Sequence, residues 1–335
     1  MTTDNRARRW ATAGTGLTLA LSLAACGGNV GGGSAESAEY PSGPVTILVG
    51  ADPGGSTDLI ARAAAEGMSD DLGVAVTVEN RPGANGALSL QELAGEEPDG
   101  QTLAIFNGSL AYITPFAVGE DEAVSIEDYE PVRGLSLDDY VLVTAPDSGF
   151  TTVEDLKKAG RPINFGTTGV GTGSQLSQEL LFAQSGIEAT SVPFDGGSPT
   201  LTAVLGGQVD VGSIQLGEAI EQIEAGELTP IVTFAEQRPS YLPDTPTAVE
   251  AGYDVPVQQS RALVAPKGTS AEVVDRLSQA LDATFATDAY QRFNADNQLT
   301  AWEVDGAQVT EEYTSKLEDY RKVIDQYGLN LGGDQ

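Results

Sequence analysis

Histidine is absent from all 335 residues, and cysteine occurs once, at Cys26. The first absence excludes any mechanism or metal site that needs imidazole. The second excludes an internal disulfide and a multi-cysteine metal site. No cofactor and no metal are expected. Positive charge is sparse as well: 17 Lys and Arg stand against 49 Asp and Glu, a formal net charge of −32. A protein so acidic is excluded as a general binder of phosphate backbones, so no nucleic-acid partner is expected. Long apolar runs are missing too. What remains is globular in composition, 40% hydrophobic and 20% charged, with length for about two domains.

The N-terminus reads as an address. Arg6, Arg8 and Arg9 precede the apolar run Leu17–Ala25, which ends at Cys26. A basic segment, a short apolar segment and small residues before a cut describe an export signal. The run is shorter than the roughly 20 apolar residues that span a bilayer. Leu23-Ala24-Ala25-Cys26 also resembles a lipobox, after which the cysteine is diacylated; the alternative is an ordinary signal peptide with an incidental cysteine. Residues 1–25 carry three Arg and one Asp, so their removal takes the net charge from −32 to −34. Residues 26–39 are rich in Gly, Ser and Ala and read as a flexible tether. Acyl chains on Cys26 would hold the folded part at the outer face of the cytoplasmic membrane.

From Tyr40 onward, strands and helices alternate. Val45–Val49, Val74–Val78, Leu103–Phe106, Tyr140–Ala145, Ile163–Phe165, Val209–Ile214 and Ile231–Phe234 read as strands. Leu59, Ile60, Ala63, Ala64 and Met68 recur at helical spacing. Thr151 with Glu154 predicts a capping box. Ser198-Pro199 predicts an N-cap and a first-turn proline, with Leu201, Val204 and Leu205 facing the core. Further helices are expected over about 87–93 and 174–185, and from about Ser270 and Thr310. The alternation predicts an α/β fold with a mostly parallel sheet in two units. Ligands are expected at the carboxyl ends of the strands.

Two glycine-rich loops occupy that position. Pro53-Gly54-Gly55-Ser56-Thr57-Asp58 joins a strand to a helix, and its open N–H groups would favour an anion. It lacks the Gly-Lys-Ser/Thr of a nucleotide loop. Gly166–Gln175 is a second loop of the kind, with Thr167, Thr168, Gly171, Ser174 and Gln175 as candidates. The plain alternative for each is a structural turn. Asn107 and Ser109 follow the Leu103–Phe106 strand. Asp210 reads as an acid that orients backbone at a strand start. For catalysis, Ser56, Ser109 and Ser174 have no histidine to activate them.

Several stretches, taken in order, resemble a known family. They are Tyr40–Val45, Pro53–Asp58, Val78–Ala84, Pro98-Asp99-Gly100, Val192-Pro193-Phe194, Leu205–Asp210 and Leu242–Thr247. The chain over about 40–325 is similar to the Bug family, extracytoplasmic solute receptors of tripartite tricarboxylate transporters. The resemblance implies a two-lobed fold like type II periplasmic binding proteins, with a hinged cleft. Lobe one would be 40–140 plus 263–335 and lobe two 141–262, crossing near Tyr140–Thr144 and Ser260–Val264. It implies a small carboxylate ligand and a membrane permease as partner. Gly54, Gly55, Ser56, Thr57 and Asp58 become one jaw; the Thr167–Gln175 loop, Phe194 and Asp195 become the other. Phe194-Asp195-Gly196 departs from the family's usual Tyr-Lys-Gly. Asp52 stands where an apolar residue is usual, and Ser260-Arg261 where an aromatic pair is. Asp52 and Asp195 suggest a ligand with an amine beside its carboxylate, and Arg261 a bidentate carboxylate partner. A sensing receptor for a membrane signalling partner would use the same site, and an enzyme on this scaffold is a third class.

Overall fold

The computed structural model describes residues 40–119 and 122–332. The export signal, Cys26 and the tether lie outside the described residues. Strand β1 (Val45–Val49) leads into helix α1 (Ser56–Leu72), then β2 (Val76–Asn80), α2 (Ala87–Leu93), β3 (Thr102–Asn107) and short α3 (Ser109–Tyr112). The long β4 (Tyr129–Thr144) follows, then α4 (Val153–Lys157), β5 (Ile163–Thr167), α5 (Gly173–Ser185) and β6 (Ala189–Pro193). Next come α6 (Gly197–Leu205), β7 (Val211–Gln215), α7 (Leu216–Glu224) and β8 (Thr229–Thr233). The chain closes with β9 (Gln258–Pro266), α8 (Ala271–Phe285), α9 (Asp288–Asp296), β10 (Thr300–Ala301) and α10 (Gly306–Tyr327).

Among the described residues, the strands form one sheet in the order β2-β1-β3-β9-β4-β7-β5-β6, with β8 and β10 also on β4. Parallel pairing is confined to the outer strands: β1 with β2 and β3, and β5 with β6 and β7. The strands that join the halves run antiparallel to their neighbours, so the sheet is mixed rather than mostly parallel. β4 belongs to both halves. Tyr129–Asp139 pairs with β9, and Tyr140–Val143 pairs with β7. The return passage is at Val257, whose N–H bonds Phe234 O in the second half; all of β9 from Gln258 onward pairs with the first half.

Burial follows the pleat. In β1, Val45, Ile47 and Val49 pack with Ile60, Met68, Leu277 and Leu281 of α1 and α8. Leu48 turns to the other face, into a cluster that runs from Leu90 and Phe106 through Leu142 to Phe165 and Leu181. That cluster underlies both halves. α10 covers it with Tyr313, which stacks on Trp302 at 5.7 Å and tilts against Phe106.

Local signals differ from the structure at several points. The capping box is Thr152 with Asp155, one residue later than expected, because Asp155 Oδ2 reaches the N–H groups of Thr151 and Thr152. α6 begins at Gly197 with Gly196 as N-cap, so Ser198 and Pro199 lie inside its first turn. Leu205 is 40% exposed, and Ala203 takes the buried place beside Val204.

Close backbone packing fixes the loop after β1. A Cβ on Gly50 would lie 2.2 Å from Gly86 Cα and 2.8 Å from Ser89 Oγ. Gly50→Ala must therefore separate two backbones and should cost about 1–3 kcal/mol. Chemical denaturation followed by circular dichroism checks this; an unchanged midpoint would contradict it.

Candidate functional site

The expected sites separate into two groups with different behaviour. α1 begins after a loop whose Gly54 sits at φ 86°, which only glycine adopts without strain. Gly54 N–H donates to Asp58 Oδ2 at 2.9 Å, and Gly55 N–H to Asp52 O at 3.3 Å. Asp58 also accepts from Arg62 Nε and Nη2 and from Asn80 Nδ2. Burial pushes its carboxyl up, but these donors outweigh burial and hold it below the ordinary value. Asp58 is thus the internal clamp of the loop, with its carboxylate already satisfied, rather than a group presented to a ligand.

Ser56 and Thr57 face inward. Ser56 Oγ donates to Asp138 Oδ2 at 3.0 Å, and Thr57 Oγ1 donates to Asn107 Oδ1 at 3.4 Å. Arg261 Nε donates to Thr57 Oγ1 at 2.9 Å, and Arg261 Nη1 pairs with Asp138 Oδ2. Both partners of that ion pair are almost wholly buried, at 2% and 3% exposure. Asn107 Nδ2 continues to Asn85 O, and Asn85 Nδ2 to Ser109 Oγ. Ser56, Thr57, Asn107, Ser109 and Arg261 therefore share one network, set in register because Asn107 pairs with Arg261 across β3 and β9.

The network reaches the second half through Gln215 and Glu218. The Gln215 amide, oriented to satisfy both partners, accepts from Arg261 Nη2 at 2.8 Å and donates to Glu218 Oε1 at 3.1 Å. Burial first, and then Asp138, hold the Glu218 carboxyl above its ordinary value, against the opposing pull of Arg261 and the Ser56 N–H. Asp139, beside them, is also raised, by burial first, against its bond from Gln258 Nε2.

In the second loop several polar side chains are engaged within the protein. Thr168 N–H donates to Ser174 Oγ, and Gly171 N–H to Gln175 Oε1. Ser174 Oγ donates to Ser213 O, and Gln175 Nε2 to Leu331 O. Thr167 Oγ1 is engaged with Gly169. The expected outward presentation of these groups is corrected: they tie the loop to β7, to the C-terminal segment and, through Thr114 Oγ1 and Gly171 O, to the first half. Phe194 is half-buried against Gly166 and the apolar cluster of the second half. Asp52 and Asp195 are exposed, and their carboxylates make no hydrogen bond among the described residues. The acids near the network are instead Asp138, Asp139 and Glu218. Asp210 fastens backbone, bonding Arg161 twice and accepting from Asn164 N–H.

Sequence reasoning missed Asp138, Gln215, Glu218 and Asn85. The carboxyl-end rule that drew attention to Asn107 applies equally to Gln215 and Glu218, which close β7 and open α7. Two acids inside the apolar Leu135–Leu142 stretch were the signal at Asp138. Among the described residues there is no group of three or more acids or cysteines placed to hold a metal, and no helix long and apolar enough to cross a membrane.

The family model for the tripartite tricarboxylate transporter family receptor matches residues 60–329. A UPF0065 protein of Agrobacterium vitis is 37% identical over 72% of this chain and 71% of its own length. BugT of Bordetella pertussis is 31% identical over 75% of this chain and 78% of its own. The periplasmic binding protein BugD superposes with a TM-score of 0.79 at 26% identity, covering 87% of this chain and 99% of BugD. MatC from Rhodopseudomonas palustris, solved with bound malate, gives 0.78 at 26% identity, over 85% of this chain and 100% of MatC.

Breaking the central ion pair leaves a buried charge, so Arg261→Met should lose about 3–5 kcal/mol in urea denaturation. Replacing Asp138 by Leu at the same time should recover part of that loss; additive losses would contradict a coupled buried pair. Asp58 predicts an acid effect. Its depressed carboxyl stabilises the fold above the ordinary value of 3.8, and that contribution disappears as pH falls through the lower folded value. Asp58→Asn should flatten this part of a stability–pH curve.

Proposed function

The chain belongs to the receptor family of tripartite tricarboxylate transporters and is a solute-binding receptor; we propose that its ligand is a small carboxylate or amino-carboxylate. The observation that carries this reading is a buried guanidinium facing a helix N-terminus at the junction of the two halves. Arg261 supplies a fixed planar cation, and α1 supplies roughly half a positive charge from its aligned peptides. Together they favour a carboxylate over a neutral solute. Malate, which the MatC structure contains, is the natural first candidate.

The same reading treats the halves as lobes, about 40–139 with 258–332 and 140–257, closing on the ligand by a hinge at β4 and at Val257–Gln258, upstream of the Ser260–Val264 crossing expected from the sequence. Closure follows from the ligand's greater affinity for the closed state. A membrane permease of the tripartite type would accept the released solute. Export and a lipid on Cys26 would keep the receptor near that permease. The site performs no chemistry on this reading, since the proteins it resembles by family and fold are receptors.

Ligand bound only to the folded protein raises its melting temperature. A thermal-shift screen of mono- and dicarboxylates, each beside its amino analogue, tests the proposal. The expected result is a concentration-dependent rise for at least one carboxylate, confirmed by calorimetry at one site per chain. No shift from any carboxylate, or equal shifts from neutral amides of the same acids, would overturn it.

A further inference from the structure

Glu218 contributes its own carboxylate to the place that the receptor reading gives to a ligand. It comes from α7, in the half opposite α1, and it is only half-buried. Three features hold it. The Ser56 N–H, in the first turn of α1, favours its charged form. Gln215 bridges it to Arg261. At the start of α6, a Cβ on Gly197 would lie 1.6 Å from Glu218 Oε2, so the carboxylate rests on a residue without a side chain. The groups facing it are Ser56 on α1, Asp138 and Tyr140 on β4, Gln215 on β7 and Arg261 on β9, besides Gly197 on α6. One cation thus serves two acids, Asp138 and Glu218. Asp138 lies directly on Arg261 and on Ser56 Oγ. Glu218 reaches Arg261 only through an amide, so it is the carboxylate held less firmly.

We propose, resting on the receptor reading above, that Glu218 is a tethered competitor: a ligand carboxylate displaces it from Gln215 and from its place beside the α1 N-terminus. Glu218 therefore sets which carboxylates succeed. A solute must bring enough contacts of its own to replace an internal acid, which disfavours simple monocarboxylates that offer one carboxylate and nothing more.

The test compares wild type with Glu218→Gln, an isostere without charge, using malate as probe. Glu218→Gln should bind malate at least about tenfold tighter than wild type at neutral pH. Equal or weaker binding by the variant overturns the proposal. So does loss of aspartate binding with malate binding retained, which would make Glu218 a partner for a ligand amine. If malate binds neither protein, the ligand assignment fails separately, and the seat is read by NMR in the free protein. The Ser56 amide resonance should then titrate with Glu218 in wild type and lose that step in Glu218→Gln; an amide resonance flat with pH overturns the assignment.

Discussion

A guanidinium sealed from water governs how the rest of this molecule is arranged. Arg261 is the largest of the fully buried side chains, and a buried charge costs several kcal/mol unless its donors are satisfied. Its partners come from separate elements: Thr57 from α1, Asp138 from β4 and Gln215 from the end of β7. Satisfying one side chain therefore fixes the start of α1 against the shared strand and against the second half. The apolar clusters make the halves stable; this polar point sets how they meet. The two kinds of interaction differ in consequence. Apolar packing tolerates small shifts, whereas a buried ion pair tolerates few, since water cannot replace a lost partner there.

The two glycine-rich loops show how similar local sequence can serve opposite ends. Both follow a strand, and both open a helix. In the first, Asp58 takes the Gly54 N–H inside the loop, leaving Ser56 and Thr57 to face the network. In the second, Thr172, Ser174 and Gln175 all bond the loop's own backbone, so these side chains are spent on the loop itself. The choice of partner by a hydroxyl or an amide is made by tertiary neighbours, Ser213 and Leu331 among them, that lie about 40 and 156 residues away. No reading of the loop alone contains that information.

Legibility in the sequence divides along the same line. β1, β3, β5 and α1, α5 and α8 were readable because period and punctuation agree locally: Gly73 and Gly186 end their helices in the left-handed region, and Ser270 caps α8. The first half of β4 was not readable. Pro131, Gly134 and the acids at 138 and 139 break its alternation, and its register shifts at Pro131/Arg133 and Gly134/Ser136. β9 was hidden for a different reason. Its Ser260 and Arg261 look like loop residues, yet they are buried because Tyr112 on α3 and Asp138 on β4 pair with them. The family was visible in its turns, which are local. Glu218 was not singled out, because its role depends on a helix start about 160 residues upstream.

The overall charge sharpens the question of how an anion binds here at all. A chain at −32 repels a dicarboxylate at a distance, and that repulsion is screened beyond about 8 Å at physiological salt. Affinity must then come from groups within contact range: an Arg261 that water does not reach, and helix N–H groups whose dipoles do not move when the ligand arrives. Exposed acids such as Asp52 and Asp195 act through water and are weakened by it. Asp138 is buried and Glu218 half-buried, where a charge counts for more than at the surface. The local balance of one cation against two acids, rather than the surface total, is therefore the quantity that ligand recognition in this receptor must satisfy.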